Sequence, residues 1–122
     1  MPAIMTVGKD FHFEAAHSLP HLPEGHKCRN LHGHSYKFRV DIEGRVDARG
    51  FVIDYAEIAS AVEPVVAQLD HQNLNDIFAC ATTAENLAAW LFKKVEDKLG
   101  RCKRITLWET PTSVVTYEGE EG

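Results

Sequence analysis

The stretch His32-Gly33-His34-Ser35-Tyr36-Lys37-Phe38-Arg39-Val40-Asp41-Ile42-Glu43 decides the fold. From Ser35 onward, polar and apolar residues alternate with period two, which is the pattern of a half-buried antiparallel strand. The run continues back through the histidines, whose face is opposite that of the odd-numbered positions. Successive strand residues point to opposite faces, so His32 and His34 share one face with their Cα atoms about 6.6 Å apart. Two imidazoles so placed can converge on one metal ion.

A third ligand is expected from a neighbouring strand. Lys9-Asp10-Phe11-His12-Phe13-Glu14-Ala15-Ala16-His17 contains β-favouring aromatics and ends in a histidine. The turn-rich stretch from Pro20 to Gly25 can return the chain antiparallel and set His17 across from His32 and His34. Three neutral imidazoles at roughly 2.0–2.1 Å from Zn²⁺ leave one tetrahedral corner open, the arrangement of catalytic zinc. Six of the seven histidines lie in the first 34 residues, and strand or loop histidines commonly bind nothing. His12, His21 and His26 are read that way.

Cys28 precedes His32 by four positions, between Lys27 and Arg29. On a continuous strand its sulfur would stand about 13 Å along the ligand face, too far to share the metal, so only a bend brings it near. Neighbouring cations and a metal both lower a thiol's pKa, which would make Cys28 a base or nucleophile near neutral pH. A fourth, closing metal ligand and a quiet half-buried thiol are the other readings. Spacing leaves all three open.

Beyond the histidine strand, Gly44 to Gly50 read as a turn and Phe51-Val52-Ile53 as a short third strand. Asp54 is placed to cap a helix with Glu57 three residues on; Tyr55, Ile58, Ala59, Val62, Val66 and Leu69 form its apolar stripe. Pro64 falls inside and should kink or split it. Thr82 as cap and Glu85 as its third residue announce a second helix, with the stripe Leu87, Ala88, Leu91, Phe92, Val95 and Leu99 and a stop at Gly100. Strands at Lys103–Glu109 and Ser113–Tyr117 follow. The expected fold is α+β: one domain over 1–122, with an antiparallel four-stranded sheet and two helices on one face. Such a sheet leaves its other face and its edges uncovered, and closed ring assembly is one way to protect them, so a homo-oligomer is expected.

At 122 residues and 44% hydrophobic content the chain has room for one core. A net charge of −5 argues against a general nucleic-acid or membrane-surface binder. Three cysteines with no paired spacing argue against a disulfide framework, and no stretch approaches a membrane helix or a signal peptide. A cytoplasmic protein is expected.

Two further groups belong with the histidines or have ordinary explanations. Asp70-His71 is either a proton relay or a helix-end histidine favoured by the dipole, with Asp70 starting a turn. Glu109 ends an otherwise apolar strand, where its carboxylate either pairs with the N–H groups of a guanidine-like heterocycle or is merely solvated.

Five separated blocks resemble, in order, the 6-pyruvoyl-tetrahydropterin synthase family: Phe11 to His17; Pro23 to Cys28 leading into Leu31 to Tyr36; Leu69-Asp70-His71-x-x-Leu74-Asn75; Thr83 to Leu87; and Trp108-Glu109-Thr110. The three residues between Cys28 and His32 are similar to the bacterial branch, the 6-carboxy-5,6,7,8-tetrahydropterin synthases of queuosine and deazapurine biosynthesis. Thr82 departs from the proline common at that position in the family. The resemblance implies a tunnelling fold closed into a hexameric or related ring with active sites between subunits. It implies zinc on His17, His32 and His34, Cys28 as proton-abstracting base, Asp70 with His71 as relay, and Glu109 with Thr83 as substrate-binding residues, Glu109 sometimes joining the relay. The implied substrate is 7,8-dihydroneopterin triphosphate, and the implied products are 6-carboxytetrahydropterin, acetaldehyde and triphosphate. Triphosphate elimination without side-chain cleavage is the alternative reaction, and a structural zinc module closed by Cys28 is the non-enzymatic reading.

Overall fold

The computed structural model describes residues 3–120, so 1–2 and 121–122 of the expected 1–122 span lie outside the described residues. Two long strands dominate: β1 (Ile4–His17) and β2 (His32–Arg45) pair antiparallel along their whole length, with Phe11 opposite Phe38, Phe13 opposite Tyr36, and His17 opposite His32. Helix α1 (Tyr55–Leu69) follows, then the two-residue strand β3 (Gln72–Asn73), helix α2 (Ala84–Leu99), β4 (Arg104–Thr110) and β5 (Ser113–Tyr117). The sheet order is β3-β1-β2-β4-β5.

The sheet therefore has five strands where the pattern predicts four. The extra one is β3, paired parallel with β1 through Ala15 and Ala16, so the sheet is antiparallel in all but this short rung. Gln72-Asn73 is polar and too short to show a period, so nothing in the sequence marks it. The expected strand at Phe51–Ile53 does not form. Val52 and Ile53 are buried as a plug in the core, and the Arg101 guanidinium donates to the Val52 carbonyl at 2.9 Å in place of a partner strand. The turn expected from Gly44 begins two residues later, since β2 runs through Arg45.

One face of the sheet is apolar by alternation. Phe11, Phe13 and Ala15 of β1 lie beside Tyr36, Phe38, Val40 and Ile42 of β2 and Ile105 and Leu107 of β4, in one cluster with residues of both helices. Phe13 stacks on Tyr36 at 4.8 Å between ring centroids, and Phe11 on Phe38 at 5.4 Å. Helix α1 contributes Ile58, Val62, Val65 and Leu69. Val65 is buried where the stripe named Val66, which is only partly covered, and Tyr55 is exposed. The helix runs unbroken through Pro64, which sits on its exposed side, where water can serve the carbonyl left without a donor. Asp54 caps it by accepting from the Ala56 N–H at 2.8 Å.

Helix α2 buries Leu87, Ala88, Leu91, Phe92 and Val95 and ends at Gly100, whose φ of 75° is left-handed. Its cap is Thr83, one residue later than expected, accepting from the Asn86 N–H at 3.3 Å. That shift puts Glu85 at the second helical position, so the expected capping box is not formed. No helix of the described residues is long and apolar enough to cross a membrane.

Candidate metal centre and active site

The apolar face of the β1–β2 ladder does not end in hydrophobic residues. Its last rungs are His17 opposite His32 and Ala15 opposite His34, in phase with Phe13 and Tyr36. The three imidazole centroids lie 4.6 to 5.1 Å apart, and one nitrogen from each falls within 4.8 Å of the others. Among the described residues this is the one group of three or more His, Cys, Asp or Glu that could hold a metal ion.

Hydrogen bonding selects the nitrogens that face inward. His17 Nδ1 lies 2.8 Å from the Thr82 carbonyl, and His32 Nδ1 lies 2.7 Å from the Asn30 carbonyl. A carbonyl only accepts, so each Nδ1 holds the proton and each Nε2 presents a lone pair, the tautomer a metal needs. Nε2 of His17 and of His34 is buried with no hydrogen-bond partner. A buried polar atom left so costs roughly 1–3 kcal/mol, and a cation among the three rings would satisfy all of them. Burial is the main influence holding the pKa of both His17 and His34 below the ordinary imidazole value, which favours the neutral, ligating form.

Glu109, near the end of β4, reaches this centre. Its Oε1 lies 3.7 Å from His34 Nε2, just beyond hydrogen-bond reach, and its negative charge raises the pKa of His17, His34 and Tyr36 against other influences or with them. Tyr36 is the residue that sequence reasoning passed over. Its ring stands 5.5 Å from that of His34, and its hydroxyl is buried with no partner. Burial first, and Glu109 second, push its pKa upward, so it stays a neutral phenol. Its signal was its place in the alternation, one rung inward from His34.

The bend that Cys28 requires is present. A single 3₁₀ turn spans Lys27–Arg29 and is capped by His26 Nδ1, which accepts from Cys28 N–H at 3.1 Å. The Cys28 carbonyl accepts from Leu19 N–H at 2.8 Å, tying the turn to the chain two residues beyond His17. The sulfur is not part of the three-histidine cluster. Arg29, next to Cys28 in sequence, spends its guanidinium on the carbonyls of Pro20 and Leu22, each at 2.8 Å.

Asp70 and His71 form a pair, with Asp70 Oδ2 3.0 Å from His71 Nδ1. Both are stitched to β1: Glu14 N–H donates to Asp70 Oδ1 at 2.9 Å, and His71 N–H donates to the Glu14 carbonyl at 2.5 Å. The Glu14 N–H, and then His71, hold the Asp70 carboxyl below the usual carboxylate range. His71 is exposed and borders a cavity of about 480 Å³ with Glu14, Ser35 and Gln72, with His34 at its edge. Glu14 and Ser35 are the outward members of their strands, so the pair opens toward the far face of the sheet. Thr83 is occupied as the α2 cap. A larger cavity of about 930 Å³ between α2 and β5, walled by Trp90, Phe92 and Tyr117, holds no such ligand cluster.

Residues 6–120 match the family described as 6-pyruvoyl tetrahydropterin synthase. The chain is 39% identical to a 6-carboxy-5,6,7,8-tetrahydropterin synthase of Synechocystis sp., over 89% of each chain. It is 36% identical to a dihydroneopterin monophosphate aldolase of Pyrococcus furiosus, over 80% of this chain and 82% of that one. Its fold is similar to the structure of Caenorhabditis elegans 6-pyruvoyl tetrahydropterin synthase, with a TM-score of 0.89, 30% identity and 98% of both chains covered.

Proposed function

The chain belongs to the 6-pyruvoyl tetrahydropterin synthase family of enzymes, and from that premise we propose that it is a zinc-dependent lyase of queuosine and 7-deazapurine biosynthesis. It converts 7,8-dihydroneopterin triphosphate and one water to 6-carboxy-5,6,7,8-tetrahydropterin, acetaldehyde and triphosphate. The observation that carries this reading is the convergence of three imidazoles, with Nε2 of His17 and of His34 buried and unpaired, beside the Glu109 carboxylate.

His17, His32 and His34 would hold the zinc, which would supply Lewis acidity when bound. Glu109 accepts paired hydrogen bonds from the guanidine-like edge of the pterin and so sets the direction in which the side chain lies. Thr83, at the head of α2, contributes to substrate binding in the same reading. Cys28 acts as the base that takes the side-chain proton. Asp70, kept anionic by the Glu14 N–H, orients His71 through Nδ1 and leaves the other ring nitrogen free to exchange protons. Triphosphate leaves and the side chain is then cut. The ring assembly belongs to the same proposal: a homohexamer or related ring with sites between subunits gives the outward-facing Asp70–His71 pair a neighbouring copy to serve.

Incubating the zinc-loaded protein with dihydroneopterin triphosphate tests the reading. Acetaldehyde with a 6-carboxypterin is the expected result. A 6-pyruvoyl product without acetaldehyde would assign the alternative that the Caenorhabditis elegans fold match favours. Cleavage of dihydroneopterin monophosphate in preference to the triphosphate would move the chain toward the aldolase relative.

A further inference from the structure

His17 is the last residue of β1, where a strand ordinarily frays, yet it is 1% exposed. Two residues outside the ligand set hold it there. The Asn75 side-chain amide meets the backbone of Ser18 twice, Oδ1 accepting from Ser18 N–H at 2.8 Å and Nδ2 donating to the Ser18 carbonyl at 3.0 Å. Asn75 is fixed in turn, since its own N–H donates to Asn73 Oδ1 at 3.0 Å. Thr82, 4% exposed, closes the other side. Its carbonyl lies 2.8 Å and its hydroxyl oxygen 3.2 Å from His17 Nδ1, and the hydroxyl donates to the Ser18 carbonyl at 3.4 Å. The Ser18 carbonyl thus receives two donors, the Thr82 oxygen keeps a lone pair for Nδ1–H, and His17 Nε2 alone is left unpartnered.

We propose that Asn75 and Thr82 form a clasp that positions His17 as a metal ligand. The amide fixes where the strand end lies, and Thr82 fixes which nitrogen bears the proton and how the ring is turned. Neither residue touches metal or substrate, so both are positioning residues, and the assignment rests on the zinc reading of the three histidines. Partners that orient ligating histidines typically contribute 10–100-fold to metal affinity.

The test is zinc titration of metal-free wild type, Asn75→Ala, Thr82→Val and Thr82→Ser against a chromophoric chelator, with the cobalt(II) absorption spectrum and the Tm of each metal-free protein. Asn75→Ala should weaken zinc by about 10–100-fold. Thr82→Val, which keeps the carbonyl, should weaken it by about 3–10-fold, and Thr82→Ser should restore it to within about twofold. The cobalt band should shift in the first two variants and not in the third. Wild-type zinc affinity and cobalt spectra in Asn75→Ala and Thr82→Val, even with a lowered Tm, would overturn the clasp and make it an ordinary loop contact. Should Asn75→Ala fail to fold, the Thr82→Val and Thr82→Ser pair decides by itself. A wild type that binds zinc but transforms no pterin would sink the proposed reaction and leave the clasp standing, whereas one that binds no zinc would end both.

Discussion

His17, His32 and His34 are borne by strands, and their convergence follows from period two and one register: whatever sets Phe13 beside Tyr36 sets His17 beside His32. Cys28 and the Asp70–His71 pair are borne by turns, each tied to the histidine end of β1 by one or two hydrogen bonds to its backbone, at Leu19 and at Glu14. The first set continues the alternation of the core, with His17 buried and His32 and His34 partly so. The second depends on a few local contacts that water can compete for. Under the proposed assignment the division suits its tasks, because a metal needs fixed donors while groups that pass protons must approach and withdraw.

The sharpest way to break that comparison is to remove a strand ligand. His34→Ala should take bound zinc from about one per chain to almost none and abolish turnover, while the metal-free protein stays folded, since the lost Nε2 was buried without a partner. Metal analysis and circular dichroism check this, and retained zinc would show that the trio is not the holding set. Next in size, Cys28→Ala should keep its zinc and lose turnover by about 10²–10⁴-fold, the range of one proton-transfer group. Loss of stoichiometric zinc in that variant would move the thiol into the ligand set and erase the distinction between strand and turn. Glu109→Ala should leave zinc in place and weaken binding of a 6-carboxypterin by about 10²-fold, as for two charge-assisted hydrogen bonds, measured by calorimetry. Unchanged affinity would refute its anchoring role.

The smallest effect contrasts Cys28 with a cysteine that packing has silenced. Burial pushes the Cys102 thiol up to about 12. The folded state therefore keeps this proton more tightly than the unfolded chain, whose thiol ionises near 9, and Cys102 supports the fold fully below that pH and progressively less as pH rises toward 12. The urea midpoint of wild type should fall more between pH 9 and 11 than that of Cys102→Ala. Equal falls would show that the thiol is not sealed.

The strand-borne half of the site was legible in the sequence because a strand has only two faces. His-x-His fixed one of them, and the turn-rich stretch from Pro20 to Gly25 could return the chain antiparallel, as the pairing of β1 with β2 bears out. Both helices were legible from their stripes, and Asp54 and Gly100 from the chemistry of helix ends. The rest was hidden for definite reasons. With threonine at both 82 and 83 the cap was ambiguous by one residue, and the structure gives the cap to Thr83 and the histidine contact to Thr82. Phe51–Ile53 is an apolar run whose length suits a strand or a plug, and only a partner decides which. Strand β3 is two polar residues, defined by what it lies beside. Asp70-His71 was visible as a pair, but the side of the sheet it opens to depends on how a short loop docks.

His71 has a φ of 59°, the one positive value outside glycine among the described residues. An L-residue there is held at a cost of roughly 1–2 kcal/mol, which glycine avoids and asparagine largely escapes. Mutagenesis at this position therefore mixes two effects. Alanine would remove the imidazole while keeping the conformational penalty, and a β-branched residue would deepen it, so a damaged enzyme in either case could reflect a displaced loop. Glycine and asparagine are the controls that separate the chemistry of the ring from the shape of the chain beneath it.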